Sequence, residues 1–196
     1  MQRMDYSFIL QNISKHIQLH QEEADYFLSL LKYRELKRKD FLLKSGQAVK
    51  MINYINTGAL KAYYLDSESN ENIIMLAIDD WWVTDMYSYV MGEPAMLYIS
   101  AIENTSIFQL PKDDLEILFL KVPKFERFFR ILFQNAYIRE QLRVIQNLSM
   151  PAEERYLNFL KKYPLLVPRI SQKQIASYLG VSPEFLSAIR KRIRKK

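Results

Sequence analysis

Residues 170–193 read I-S-Q-K-Q-I-A-S-Y-L-G-V-S-P-E-F-L-S-A-I-R-K-R-I, and this stretch carries the most specific structural pattern in the 196-residue chain. Ser171 is followed three residues later by Gln174, which is the spacing of a capping box that opens a helix. Gly180 suits the left-handed conformation that ends such a helix. Ser182 then caps a second helix, with proline at its first position. Two short helices joined by a glycine turn predict a helix-turn-helix.

The apolar residues of this stretch recur at helical spacing and give each predicted helix an inward face. These residues are Ile175, Ala176 and Leu179, then Leu186, Ile189 and Ile193, with Val181 between the two helices. A structural αα-hairpin has the same pattern. The second helix, however, runs into a basic segment: Arg190, Lys191, Arg192, Arg194, Lys195 and Lys196. A DNA duplex accounts for that segment and a protein core does not, so we interpret the unit as nucleic-acid binding.

The predicted contacts to DNA divide by chemistry. Hydroxyl groups at helix N-termini and flanking cations suit phosphate oxygens. Glu184 and Ser187, near the start of the second helix, suit base edges, and a glutamate suits the cytosine amino group. Arg190 and Lys191 suit either guanine or phosphate. The predicted DNA-contacting residues are Ser171, Gln172, Lys173, Ser182, Glu184, Ser187, Arg190, Lys191 and Arg194.

The charge is distributed unevenly along the chain. Residues 151–196 hold 11 Lys and Arg against three acids, whereas residues 1–150 hold 17 against 19. The whole excess of the +6 net charge therefore lies in the last quarter, although an isolated basic run is also typical of a solubilising tail. Residues 62–111 contain no Lys or Arg and eight acids, together with many aromatic residues.

Composition excludes several classes of protein. With no cysteine, the chain has no disulfide, no thiolate zinc site and no cysteine-ligated cluster. No apolar run approaches the length of a membrane span, and the first residues lack the pattern of a secretory signal. We therefore expect a soluble, cytoplasmic protein. His16 and His20 are the only histidines, spaced for one helix face or lying on the loop before a helix.

Residues 36–110 show short β-type runs separated by turn residues. The runs are 51–55, 59–65, 72–78 and 99–110, with Gly58 between the first two. Strands at such regular spacing predict an antiparallel sandwich or jelly roll, and a β-meander under a helical cap is the alternative. Short helices are expected at 20–33 and 113–118, and a further helix at 152–163. The fold class is therefore α+β, with an N-terminal β jelly roll and a helical C-terminus.

A long helix is predicted over 124–147, and it carries two apolar faces. One face has the 3-4 spacing of a heptad seam: Phe128, Ile131, Asn135, Ile138, Leu142 and Ile145. A single asparagine in such a seam fixes the register of a parallel dimer. The second face consists of Phe125, Phe129, Leu132, Phe133 and Ala136. A helix packed only on its own sheet is the alternative, but two faces favour a homodimer.

This order of sheet, long helix, hinge and helix-turn-helix resembles the Crp/Fnr family, which includes the cyclic AMP receptor protein. The resemblance spans nearly the whole chain and rests on 170–192 and the strand–Gly58–strand start of the sheet. The block 123–130 (P-K-F-E-R-F-F-R) is similar to the start of the central helix in Bacteroidetes members. The resemblance implies a homodimeric transcription regulator that reads a palindromic operator in double-stranded DNA. It also implies a sensor at 1–122, a dimerisation helix at 123–148, a DNA-binding unit at 149–196 and RNA polymerase as a further partner.

The resemblance is imperfect in the region where the family binds cyclic nucleotide. Residues 81–85 (W-W-V-T-D) stand where the family has a Gly-Glu pair, and residues 96–99 (M-L-Y-I) hold no cation for the phosphate. We therefore expect no cyclic AMP binding and name no cofactor and no metal. A haem sensor would depend on His16 and His20. The remaining sensor hypothesis is a pocket for an apolar or aromatic ligand, lined by Trp82, Thr84, Asp85, Met86, Leu97 and Tyr98.

Two further departures concern DNA binding. Ala188 stands where many family members have a base-reading Arg, and the sequence ends at Lys196 without a β-wing. These departures motivate one alternative, an interaction scaffold whose DNA binding has decayed. A β-helix metal enzyme is a second alternative, but both histidines precede the sheet and no catalytic set is visible, so we predict that the chain is not an enzyme.

Overall fold

The computed structural model describes residues 5–194, and its centre is a roll of eight antiparallel strands. The strands are β1 (Lys32–Leu36), β2 (Phe41–Leu43), β3 (Met51–Thr57), β4 (Ala59–Leu65), β5 (Glu71–Ile78), β6 (Trp82–Val83), β7 (Tyr98–Ala101) and β8 (Thr105–Pro111). One sheet has the order β1-β8-β3-β6 and the other the order β2-β7-β4-β5. The predicted jelly roll and the α+β class are confirmed.

Helices precede, interrupt and follow the roll. They are α1 (Ser7–Ser14), α2 (Gln21–Ser29), α3 (Met86–Met91), α4 (Lys112–Lys121), α5 (Lys124–Ser149), α6 (Ala152–Lys162), α7 (Gln172–Leu179) and α8 (Pro183–Ile193). The long helix and the helix-turn-helix lie within a few residues of their predicted ends. The lysines at 195 and 196, the last of the predicted basic run, lie outside the described residues, as do residues 1–4.

Several sequence predictions were wrong in detail. Residues 99–110 form two strands rather than one, because the chain turns at 102–104 between β7 and β8. The helix expected at 20–33 ends at Ser29, and β1 begins at Lys32 because it pairs with β8. Two elements were not predicted: α1, which has no side-chain cap, and the two-residue strand β6, which is too short to show alternation.

Gly58 is required by the tight connection between β3 and β4. Its φ is +110°, in a region that residues with a side chain rarely adopt. A Cβ at this position would clash with Thr105, lying 2.6 Å from its Cα. The predicted strand–glycine–strand motif therefore has a steric cause.

Three apolar clusters hold the structure together. The first fills the roll between its two sheets and includes Leu36, Ile55 and Ile107. The second lies between the outer face of the β3-containing sheet and helices α1, α2, α4 and α5. The third is the core of the helix-turn-helix, and it continues onto Tyr63 and Ile73 of the other sheet. The C-terminal unit therefore packs against the roll.

Hydrogen bonds and ion pairs fix this contact between the roll and the C-terminal unit. The Ser177 hydroxyl on α7 donates to the carbonyl of Glu71 at 2.6 Å and accepts from the backbone N–H of Ile73 at 2.9 Å. The Arg169 guanidinium, just before α7, donates to Asp79 at 2.5 Å and also pairs with Glu103. Both sides of the contact are thereby held in one relative position.

Candidate nucleic-acid interface and sensor cleft

The first helix of the helix-turn-helix has the cap that its sequence predicts. The Ser171 hydroxyl accepts from the Gln174 N–H at 3.2 Å, and the Gln174 side chain accepts from the Ser171 N–H at 2.8 Å. Gly180 ends α7 with φ +67°. Lys173 is exposed, whereas Gln172 is half-buried and its side-chain oxygen has no partner among the described residues.

The second helix begins in the same way, at Ser182. Its hydroxyl oxygen accepts from the Phe185 N–H at 3.1 Å. In both caps the serine oxygen is the acceptor, so the hydroxyl hydrogen stays available to donate to a phosphate at the helix N-terminus. The capping geometry and the phosphate contact expected of Ser171 and Ser182 are therefore compatible.

Helix α8 buries one side and exposes the other. Leu186 and Ile189 are buried in the core of the unit. The predicted reading residues Glu184, Ser187 and Lys191 are exposed, as are Ala188 and Arg194. Arg190 is half-buried, and Arg192 forms an ion pair with Glu153 at 3.4 Å. The exposed side of α8 thus presents polar and basic groups together with one small residue.

Phe185 also belongs to this exposed side, and our sequence analysis missed it. The phenylalanine is 50% exposed in the first turn of α8, beside Glu184. The inward spacing of Leu186, Ile189 and Ile193 already leaves position 185 outside the core, and this spacing could have identified the residue. An exposed aromatic side chain at this position suits the methyl group of thymine.

Helix α5 has one face in the core and another that is exposed over its second half. Phe125 and Phe129 are buried against the roll, and Leu132 and Phe133 pack beside them. The seam prediction was wrong for Phe128, which is fully buried in the core of its own protomer, its ring centroid 5.8 Å from that of Trp82. A fully buried ring cannot contact a partner.

The other residues of the predicted seam are at least partly exposed, and their contact with a partner stays a prediction. Ile131 is half-buried and Asn135 is exposed. Ile138, Leu142 and Ile145 are 52%, 48% and 52% exposed. Other large apolar side chains exposed on the same half of the helix are Tyr137, Val144 and Leu148. Helix α5 therefore has an uncovered apolar surface from about residue 137 to its end.

The region predicted to stand where the family has its cyclic nucleotide cassette contains a buried carboxylate of the chain itself. Asp85 is buried and caps α3, accepting from the Ser88 N–H at 3.3 Å. Its second oxygen accepts from the backbone N–H groups of Met96 and Leu97 at 2.8 and 3.0 Å. Clustered backbone N–H groups of this kind bind anions, and here an internal anion already occupies them.

The six residues predicted for a ligand pocket do not form one pocket. Trp82, Thr84 and Met86 line a cleft between the roll and α5, but Asp85, Leu97 and Tyr98 do not. The Tyr98 ring stacks on Tyr63 at 5.5 Å, and Tyr63 belongs to the cluster of the C-terminal unit. Asp85 is used as the cap of α3, and Leu97 and Tyr98 pack against two different apolar clusters, so none of the three lines the cleft.

The cleft itself is lined mainly by apolar side chains, together with Asp80, Arg139 and Glu140, and has a volume of about 440 Å³. Its walls include both tryptophans, Trp81 and Trp82, and the α5 residues Leu132, Phe133 and Tyr137. Asn135 lines its edge and also belongs to the exposed seam of α5. A molecule in this cleft would therefore touch both the roll and the helix surface that is available to a partner.

The two histidines do not form a ligand pair on one helix. Both lie in the segment between α1 and α2: His16 packs 6.0 Å from the Phe128 ring, and His20 immediately precedes α2. Over residues 5–194, no group of three or more His, Asp and Glu side chains is arranged to hold a metal ion. Within the same range, no helix combines the length and apolarity of a bilayer span.

Comparison with known proteins gives consistent matches over most of the chain, although no protein-family model matches it. The chain is 25% identical over 186 residues to the transcriptional activator protein Anr of Pseudomonas protegens, covering 88% of this chain and 75% of that protein. It is 22% identical over 192 residues to the fumarate and nitrate reduction regulatory protein of Vibrio cholerae, covering 90% and 75%.

Solved structures agree in fold. FixK2 from Bradyrhizobium japonicum superposes with a TM-score of 0.73 at 16% identity, covering 84% of this chain and 85% of that chain. A Crp/Fnr-family regulator from Eubacterium rectale gives 0.70 at 15% identity, covering 90% and 84%. The fold of the chain is that of Crp/Fnr-family regulators. The likeness to Bacteroidetes members stays a prediction.

Proposed function

We propose that this Crp/Fnr-family chain is a DNA-binding transcription regulator in which α8 enters the major groove of an operator. The observation that carries the proposal is the exposed side of α8, which combines Glu184, Phe185, Ser187 and Lys191 behind a properly capped N-terminus. These side chains can reach base edges, while the capping serines and Lys173 can hold phosphates on either side.

The regulator is proposed to act as a homodimer. The exposed apolar half of α5 supports this, because a surface containing Ile138, Leu142 and Ile145 is costly to leave in water. Asn135 in the seam favours a parallel arrangement of the two helices. A parallel dimer would set two copies of α8 against half-sites about 34 Å apart on a palindromic operator.

The sensor function is proposed to depend on a ligand other than cyclic AMP. Asp85 takes the backbone N–H groups of Met96 and Leu97 that an anion would need, and residues 62–111 contain no cation. The cleft beside Trp81 and Trp82 is the candidate site for an apolar or aromatic effector. Quenching of tryptophan fluorescence by such compounds, but not by cyclic AMP, is the expected result of a titration.

DNA selection with the full chain tests the proposed function. Selection from random duplexes should return a palindromic motif, and affinity for it should fall steeply as salt rises. The R190A/K191A variant should bind that motif about 100-fold more weakly or worse, because it loses two basic groups at the reading helix. The K161A/K162A variant removes the same charge from α6 and should stay within a few fold of the wild type.

A selection without an enriched motif would contradict this function and favour the interaction scaffold. If the R190A/K191A variant binds the motif with the affinity of the wild type, the base-contacting residues are assigned wrongly. Contact with RNA polymerase, cytoplasmic location and the domain limits at 122 and 148 stay predictions.

A further inference from the structure

The sensor half of the chain contains a basic segment that the proposed function does not use. Residues 32–44 hold six Lys and Arg against two acids, although residues 1–150 as a whole are slightly acidic. Three of these cations, Lys37, Arg38 and Lys39, are consecutive and form the turn between β1 and β2. We call residues 37–40 the basic turn.

The basic turn is rigidly held. The Asp40 N–H donates to the Lys37 carbonyl at 2.9 Å, and the Asp40 carboxylate accepts from the Lys37 N–H at 2.9 Å. The Arg38 N–H donates to the side chain of Asn104 at 3.1 Å, which ties the turn to the β7–β8 connection. The side chains of Arg38 and Lys39 are exposed at its tip.

Lys39 adopts a backbone conformation that its side chain disfavours. Its φ is +75°, and its N–H donates to the Ala101 carbonyl at 2.8 Å. Glycine or asparagine is the usual choice at such an angle, so lysine here carries a conformational cost. Residues kept in costly conformations concentrate at sites where the side chain has a function.

The basic turn and the start of α7 line opposite sides of one cleft of about 790 Å³. Arg38 and Lys39 stand on the roll side, and Ser171 and Lys173 on the side of the helix-turn-helix. The hydrogen bonds of Ser177 with β5 and the ion pairs of Arg169 hold the two sides together. The four groups therefore form one fixed constellation rather than two independent surfaces.

Three cations of this cleft are available to a partner. Lys61 pairs with Glu71, and Arg169 pairs with two carboxylates. Arg38, Lys39 and Lys173, by contrast, are exposed and form no ion pair with another described residue. A polyanion that reached Lys173 at the start of α7 would meet the other two cations on the facing wall.

We propose that the basic turn is a second DNA-backbone contact, through which the roll binds phosphates adjoining those held by the start of α7. This inference rests on the proposed function, because the first helix of a helix-turn-helix lies across the DNA backbone. A duplex fits the constellation better than a small anion does, since the three free cations are exposed rather than enclosed. Such contacts add affinity without adding sequence specificity.

The test compares the R38A/K39A variant with the wild type on the selected operator. Each phosphate contact contributes about 0.9 to the slope of log affinity against log salt, so losing two contacts in each protomer of a dimer should reduce the slope by about 2 to 4. Affinity near 0.1 M salt should fall about tenfold or more, equally for operator and unrelated DNA. The K50A/R127A variant removes two exposed cations outside the cleft and should leave the slope within about 1 of the wild type.

A second variant separates charge from folding. Lys39→Gly removes the cation but suits the φ of +75°, so thermal stability should be kept or raised while DNA affinity falls. If R38A/K39A and Lys39→Gly bind DNA with wild-type affinity and salt slope, the inference is overturned and the proposed function stands. If the wild type binds no duplex at all, the proposed function fails and takes this inference with it.

Discussion

The helix-turn-helix and the cassette region of the roll differ in whether their hydrogen-bond donors are available to an anion. At α7 and α8 the capping serines leave their hydroxyl hydrogens free, and Lys173 and Lys191 are exposed nearby. In the cassette, the buried Asp85 carboxylate takes backbone N–H groups that could otherwise bind an anion. The first region is open to a polyanion, whereas in the second the backbone N–H groups are already hydrogen-bonded to Asp85.

The difference shows that similar backbone groups can be left open in one region and occupied in another. Backbone N–H groups are anion sites in both regions, so what distinguishes them is the supply of charge. Arg38, Lys39 and Lys173 lie near the N-terminus of α7. Residues 62–111 contain no Lys or Arg, and Lys112, which reaches α3 from outside that range, donates to the Tyr89 carbonyl. An internal carboxylate then becomes the available partner, and it stabilises the loop instead of leaving it ready for a phosphate.

Breaking the proposed dimer should have the largest effect on the open region, because the proposed operator binding needs two copies of α8 acting together. We expect the I138D/L142D variant to sediment as a monomer and to bind the palindromic operator at least about 100-fold more weakly, since each half-site alone lacks the second set of contacts. Analytical ultracentrifugation and fluorescence anisotropy measure the two effects.

Leu120→Asp is the matched control for that variant, because Leu120 is 83% exposed on α4 and lies off the α5 surface. It should leave both mass and affinity unchanged. A dimeric I138D/L142D protein would contradict the proposed seam.

Removing the internal anion should destabilise the closed region by an intermediate amount. Asp85→Ala leaves the N–H groups of Ser88, Met96 and Leu97 without their acceptor, which should cost about 2 to 3 kcal/mol of unfolding free energy. Urea denaturation measures the loss. The variant should still fail to bind cyclic AMP, because no cation is added.

Glu93→Ala, a change to an exposed acid close by, should cost less than about 0.5 kcal/mol. An equal cost for both variants, or cyclic AMP binding by Asp85→Ala, would remove the basis for describing the cassette as closed by its own carboxylate.

The smallest effect concerns how α8 reads its operator. Phe185→Ala should weaken operator binding by about 1 kcal/mol or less, and only where a thymine methyl group is contacted. Each operator thymine is therefore replaced in turn with uracil, which lacks the methyl group. At the contacted position this replacement should lower the affinity of the wild type as much as Phe185→Ala does, and it should not lower the affinity of the variant further. Leu157→Ala, at a similarly exposed apolar residue of α6, should not alter binding. Equal sensitivity of both proteins to every uracil would exclude Phe185 as a reader.

Local patterns predicted the C-terminal unit well. The capping box of α7, the Ser182 cap of α8, the Gly180 turn and the inward apolar residues depend on neighbours within a few positions, so they can be read from the sequence. Helix α5 was predicted for the same reason. Its seam was wrong at Phe128, because heptad spacing cannot distinguish a partner helix from the roll that covers the first turns, and the rest of the seam stays a prediction.

The sequence by itself determined the helix-turn-helix, the antiparallel roll, the lack of Lys and Arg over residues 62–111 and the two apolar faces of α5. Only the tertiary structure decided where these features meet. Asp85 reaches Met96 and Leu97 because α3 returns the chain to β7, and the basic turn faces Lys173 because α7 docks on β5. Helix caps and apolar periodicity involve only a few neighbouring residues. These tertiary contacts, by contrast, join positions separated by about ten to more than a hundred residues.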